Sequence, residues 1–348
     1  MAVITSAFLS KGPLFIFCVV GTIYTLYVLP GSNLGTQTQT PSSLAPTTTT
    51  SEPSDETTTL PPISRKIWQA YLSNTVDEGA MNSIHHWPAS KKTTHPPNPV
   101  PSPKSPHLQD KPTAVAPNWT YTLLGDAGAN AFVDTTFHDR ADIRSTYHAL
   151  SHWVLKSDFL RYMLLWGEGG IYSDLDTKPQ VAPSEWVPAG AHRDRVRLIV
   201  AIEYDSAVLG PTEMYPIQFS QWTIGAAARH PVMGCMLERA LTGIRDMAAA
   251  KGITVGEIDP GENAVYNATG PIAWTECVMD GIGAALGPDV PFAHSNLSEI
   301  AEPRYYGDIT ILPDGYFAAA LPVGSPKPNN GDRVGLVSHD FRGAWKHS

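Results

Sequence analysis

Two aspartates one residue apart, Asp174 and Asp176, follow the apolar run Ile171-Tyr172-Ser173. Alternate residues of a strand project to the same face. The expectation is therefore two carboxylates aimed at one point from a strand end. Hard oxygen ligands on one side suit Mn²⁺ or Mg²⁺, ions that also take a diphosphate. Just upstream, Leu155, Phe159, Tyr162, Met163 and Trp166 recur at helical spacing. Asp158 and Arg161, three residues apart, then share a different face of that helix. Gly169 and Gly170 should end the helix, because glycine takes left-handed conformations at little cost.

Other chemistries fit these carboxylates less well. An aspartyl phosphatase wants Thr or Val two residues after its second Asp, and Lys178 stands there. A glycosidase places its two carboxylates on opposite sides of the scissile bond, which one strand face does not do. A solvated pair closing a turn ahead of Pro179 is the alternative without chemistry. The strand end of an open α/β sheet is where ligands bind, which favours metal and diphosphate.

The elements that must position these groups alternate along the chain. Ile63–Gln69, Trp119–Leu124, Leu198–Tyr204, Ile309–Leu312 and Val334–Val337 read as strands. Ala131–Tyr147, Ile217–Ala228, Val232–Ala250 and Ile272–Leu286 read as helices, with Pro231 opening the third. This alternation predicts an α/β domain with a mainly parallel central sheet over residues 63–348. The Pro- and Lys-rich residues 88–117 read as a surface loop within it. Of three cysteines, Cys18 lies in an apolar run, which leaves Cys235 and Cys277 as a pair whose bonding spacing alone does not decide. The net charge of −9 argues against nonspecific nucleic-acid binding.

Ahead of the domain, residues 14–30 are apolar and uncharged, with Lys11 before them and no Lys or Arg until Arg65. The expectation is a short cytosolic tail (1–13), a signal anchor (14–30) and a luminal remainder, suited to a thin bilayer. A cleaved signal peptide is the competing reading. Residues 31–62, rich in Ser, Thr and Pro, read as an O-glycosylated stem. Sequons at Asn118, Asn267 and Asn296 fall in the luminal part.

The central stretch, Asp158-Phe159-Leu160-Arg161-Tyr162 and then Gly169-Gly170-Ile171-Tyr172-Ser173-Asp174-Leu175-Asp176, resembles the signature of glycosyltransferase family 32. Lys66-Ile67-Trp68-Gln69 resembles that family's opening strand. Gln218–Ile224, Thr269-Gly270-Pro271 with Trp274-Thr275, and His339–Lys346 resemble blocks of its fungal α-1,6-mannosyltransferase subgroup.

The resemblance implies a GT-A-type, Rossmann-like catalytic domain, a GDP-mannose donor, Mn²⁺ and retention of anomeric configuration. It also implies a mannose-rich N-glycan acceptor and a Golgi address. It assigns Asp174 and Asp176 to the metal, and Asp158 and Arg161 to the donor sugar. Trp68, Tyr172 and Lys346 fall to the nucleotide and diphosphate. The family's C-terminal histidine is followed by x-x-G-x-x-K. Counting back from Gly343 and Lys346 gives Asp340, with His339 beside it, so the third ligand is one or the other. Rival readings are mannosylation of an inositol-phosphate sphingolipid, a different nucleotide-sugar donor, and a non-catalytic subunit of a Golgi mannan-synthesising complex. The first is disfavoured because no apolar run follows His339.

Overall fold

The opening strand forms as β1 (Lys66–Tyr71). The structure is a computed structural model that describes residues 60–72, 87, 89–94, 116–190, 192–209, 214–319 and 335–340. The expected tail and anchor, nearly all of the stem, and Lys346 lie outside these residues. Among the described residues, no helix is long and apolar enough to cross a membrane.

Next come β2 (Ala89–Thr94) and β3 (Ala116–Gly125). β1 and β2 both run parallel to β3, one on each side of it. The expected loop at 88–117 thus contains a strand. Its Ser-Lys-Lys-Thr-Thr sequence lacks apolar alternation, which hid it, but charged residues suit the edge of a sheet. The single helix expected over Ala131–Tyr147 is two, α1 (Asp126–Thr136) and α2 (Ala141–Ala149). Arg140 sits at the break. It donates to Asp142 at 3.0 and 2.9 Å and to Glu238 at 2.6 Å.

The chain continues through α3 (Trp153–Glu168), β4 (Gly170–Ser173), β5 (Thr177–Pro179) and β6 (Leu198–Asp205). Two short strands follow, β7 (Ile217–Phe219) and β8 (Thr223–Ala226). They replace the helix expected over Ile217–Ala228. The segment's Ile, Phe, Trp and Thr side chains favour a pleated surface. β8 lies between β4 and β6 and is wholly buried, so no period-two alternation marks it. Then come α4 (Pro231–Lys251), α5 (Glu262–Ala268), α6 (Pro271–Leu286), β9 (Arg304–Tyr306), β10 (Ile309–Leu312), β11 (Phe317–Ala319) and β12 (Val337–His339).

The main sheet has the order β2-β3-β1-β4-β8-β6-β10-β9, with β7 paired to β6. In this row only β8 and β9 run against their neighbours, so the sheet is mainly parallel, as expected of an α/β, Rossmann-like, GT-A-type domain. One face packs on the helices through Leu155, Phe159, Met163, Met236 and Trp274. The other carries a second cluster that includes Trp87, Tyr121, Trp186, Trp222 and Phe317. β11, β12 and β5 make a separate small sheet.

Helix α3 is buried on nearly every side from Val154 to Leu165. The division into an apolar and a polar face does not hold, and Asp158 and Arg161 are inside the core. At its end, Gly169 (φ 65°) and Gly170 (φ 108°) turn the chain into β4. A Cβ on Gly170 would lie 2.5 Å from the Lys66 carbonyl oxygen. Gly170→Ala should therefore cost more than about 2 kcal/mol in urea denaturation. Gly252→Ala, with the same kind of φ but no neighbour within 4 Å, should cost only about 1 kcal/mol.

Cys235 and Cys277 are disulfide-bonded and join α4 to α6 across 42 residues of sequence. Closing a loop of that length restricts the unfolded chain by roughly 4 kcal/mol. The Cys235→Ser, Cys277→Ser double variant should lose stability of that order in the same measurement.

Candidate functional site

The two aspartates do not sit on a strand. β4 stops at Ser173, and Asp174–Asp176 make the turn into β5. A turn brings the carboxylates together instead of strand alternation, and its backbone is tied down. The Asp174 carbonyl accepts from Thr177 N (3.2 Å), Thr177 Oγ1 (2.6 Å) and Gln69 Nε2 (2.9 Å). Asp174 N donates to the Trp222 carbonyl at 2.8 Å. Beneath the turn, the buried Ser173 hydroxyl lies 2.7 Å from Thr177 Oγ1 and 2.6 Å from Thr223 Oγ1.

The third member comes from the far end of the domain. β12 pairs antiparallel with β5, setting His339 opposite Thr177. Asp340 N donates to the Asp176 carbonyl at 2.9 Å. His339 Nε2 then lies 3.0 Å from Asp176 Oδ1. One ligand atom each from Asp174, Asp176 and His339 fall within 4.8 Å of one another. Asp340 faces the other way, with its carboxylate 3.3 Å from Lys178 Nζ. Of the two residues open as third ligand, His339 is the one brought to the aspartates.

Two carboxylates and an imidazole make a donor set that fits a hard or borderline divalent ion such as Mn²⁺. Burial disfavours the His339 imidazolium, but the bond to Asp176 and the charges of Asp176, Asp174 and Glu203 outweigh it, so its pKa is raised. A cation held in this group would take the place of that proton.

Asp158 and Arg161 join the same group. Arg161 Nη1 donates to Asp158 Oδ1 at 2.6 Å, and Nη2 to Asp174 Oδ1 at 2.8 Å. Thr269 Oγ1 donates to Asp158 Oδ2 at 2.9 Å. Tyr162 Oη lies 2.7 Å from the Thr269 carbonyl and 2.7 Å from Gln221 Oε1. Burial pushes the Asp158 carboxyl up, and Arg161 and the Thr269 hydroxyl pull it back.

The pair is not the exposed one that its spacing alone would suggest. The Arg161 and Asp158 side chains are 3% and 6% exposed. Tyr172 is buried, with the Arg161 guanidinium 4.9 Å above its ring.

Trp68 lies elsewhere. Neighbours in a strand face opposite sides: Gln69 reaches Asp174, while the Trp68 indole donates to the Gly169 carbonyl at 2.9 Å. With Lys66, Phe132 and Glu168, Trp68 lines a cavity of about 450 Å³ beside α1. The structure does not bring it to the carboxylates. Asn118, Asn267 and Asn296 are exposed. The Thr269 of the Asn267 sequon is buried and hydrogen-bonded to Asp158, so the site itself gives a reason for that threonine.

Gln69, Thr269 and Trp222 went unassigned in the sequence, although each lies in a block that carries the family resemblance. Glu203, at the end of the apolar run Leu198–Tyr204, gave no signal at all.

Residues 109–191 match the family model described as a glycosyltransferase sugar-binding region containing a DXD motif. An initiation-specific α-1,6-mannosyltransferase of Schizosaccharomyces pombe is 34% identical over 66% of this chain and 57% of its own length. Its counterpart in Candida albicans is 24% identical over 66% of this chain and 64% of its own length. The chain thus spans somewhat under two thirds of each of these relatives. Among solved structures, the PaToxG glycosyltransferase aligns with a TM-score of 0.40 and 16% identity, over 66% of this chain and 74% of that one. The chain thus carries a glycosyltransferase sugar-binding region with its DXD motif, within a domain homologous to the fungal initiation-specific α-1,6-mannosyltransferases.

Proposed function

We propose that this chain is a retaining mannosyltransferase that moves mannose from GDP-mannose to a mannose hydroxyl of an N-glycan, forming an α-1,6 linkage. The observation that carries the reading is the Arg161 bridge. It couples a candidate metal group to the Asp158–Arg161 pair, which the family resemblance assigns to the donor sugar. The mannosyltransferase relatives support the sugar and the linkage.

Asp174, Asp176 and His339 are the residues that would hold the ion, Mn²⁺ or Mg²⁺. Bound there, the ion would supply charge to the departing diphosphate. The chain's own residues do the rest. Arg161 orients the donor mannose and keeps Asp174 in place, while Asp158 fixes the Arg161 fork. Backbone bonds at the Asp174 amide and at the Asp174 and Asp176 carbonyls hold the turn that carries both carboxylates. The acceptor hydroxyl oxygen bonds to the anomeric carbon as the bond to the diphosphate breaks on the same face, and the hydroxyl proton leaves with that diphosphate. The apolar segment at 14–30 supports a single-pass type II placement in the Golgi membrane, with the stem and catalytic domain in the lumen.

A donor screen tests the reading. The protein is offered GDP-mannose and UDP-sugars, with and without Mn²⁺, on a mannose-rich N-glycan and on an inositol-phosphate sphingolipid, followed by linkage analysis. Transfer from GDP-mannose to the glycan, dependent on Mn²⁺, is expected. No transfer from any donor would favour the non-catalytic subunit.

Asp176→Asn should lower kcat by about 10²–10³-fold, as loss of a group that stabilises leaving-group charge does. Its thermal unfolding should stay near wild type, since Asp176 is only half-buried. Full activity in that variant would remove Asp176 from the site. Arg161→Lys removes the planar fork that spans two carboxylates. It should lower both activity and stability, the latter by about 3 kcal/mol, as a broken buried pair does.

A further inference from the structure

One carboxylate near the metal group has no role in the reaction as proposed. Glu203 follows five fully buried apolar residues of β6 and is itself half-buried. The pairing of β6 with β7 shifts register between Ile202 and Tyr204, leaving Glu203 at the irregularity. Such bulges re-aim a side chain and gather beside active sites.

Here the side chain reaches Trp222, whose indole Nε1 donates to Glu203 Oε1 at 2.8 Å. The ring of buried Trp222 lies 4.5 Å from the ring of His339, tilted by 38°. His339 in turn lies against Asp176. A line of contacts therefore runs from Glu203 through the indole to the imidazole and the turn carboxylate. The Trp222 carbonyl also accepts from Asp174 N, so this residue touches both sides of the group. Burial raises the Glu203 carboxyl, the Trp222 N–H and the His339 charge pull it back, and Asp174 and Asp314 add to the rise.

We infer that Glu203 is a positioning residue: its bond to the Trp222 indole sets the plane against which His339 rests, and so aims His339 at the Asp174–Asp176 turn. A metal-binding histidine needs its ring orientation fixed from outside the ligand set, and such outer partners typically matter by 10–100-fold in metal affinity. The inference rests on the reading of Asp174, Asp176 and His339 as a metal group. Its first readout does not need the metal.

The test uses the full chain as wild type, Glu203→Ala, Glu203→Gln, Trp222→Phe and Asp176→Asn. The first measurement is the NMR shift of the His339 ring protons, assigned by their loss in His339→Asn. An indole 4.5 Å away displaces these resonances by its ring current. The second is Mn²⁺ affinity without donor, from the free-ion EPR signal.

Glu203→Ala should move the His339 resonances toward those of an unstacked histidine and weaken Mn²⁺ about 10-fold. Glu203→Gln keeps an oxygen for the indole N–H and should leave both readouts near wild type. Trp222→Phe keeps an aromatic ring, removes the donor, and should weaken Mn²⁺ about as much as Glu203→Ala. It also serves if that variant does not fold.

Unchanged His339 resonances and Mn²⁺ affinity in folded Glu203→Ala or Trp222→Phe would overturn the inference. So would equal losses in Glu203→Gln and Glu203→Ala, which would make charge the cause. Absence of Mn²⁺ binding in wild type, or undiminished binding in Asp176→Asn, would instead remove the metal reading. The His339 resonances would still decide the role of Glu203.

Discussion

Arg161 is the constraint on which the rest of the site depends. Its guanidinium joins a carboxylate on its own helix to one on the turn after β4. Taking these charges out of water is costly, and an apolar core of the same volume would serve stability as well or better. The fold surrounds the network with compensating donors. Thr269 bonds Asp158, and Tyr162 in turn bonds the Thr269 carbonyl. Helix α3 carries this network while packed on nearly every side. A buried ionic network in the middle of the core is difficult to explain by stability and natural to explain by ligand binding.

The antiparallel insertion of β8 is the second determinant. By running against β4 and β6, it delivers Trp222 to the C-terminal ends of the parallel strands. There its carbonyl receives the Asp174 amide and its indole meets both Glu203 and His339. The reversal of this strand thus sets its first flanking residue, Trp222, between the turn and β12.

Much of this was legible in the sequence, because local rules govern it. The helix before Gly169-Gly170, the strand after it and the α/β class follow from periodicity and glycine chemistry. Pro231 marked the start of α4. What local rules cannot reach is long-range. Asp158 and Arg161 looked like a polar face because nothing in α3 announces that it is covered on all sides. β7 and β8 were hidden because strands buried on both faces lose their alternation. The choice of His339 over Asp340 depends on the register of β12 against β5, which only pairing fixes. Glu203 was invisible because a bulge, not a motif, aims it.

β12 has a consequence for the order of assembly. Asp174 and Asp176 are made near the middle of the chain, whereas His339 arrives on a strand that docks onto β5 as nearly the last described element. Synthesis proceeds from the N-terminus, so the residues of the parallel core and of the Arg161 network are made before His339 is. A domain folds as a unit, so the ligand set is complete only once β12 has paired with β5. Capacity to hold an ion would then report on completed folding, with the last described strand acting as the closing stitch.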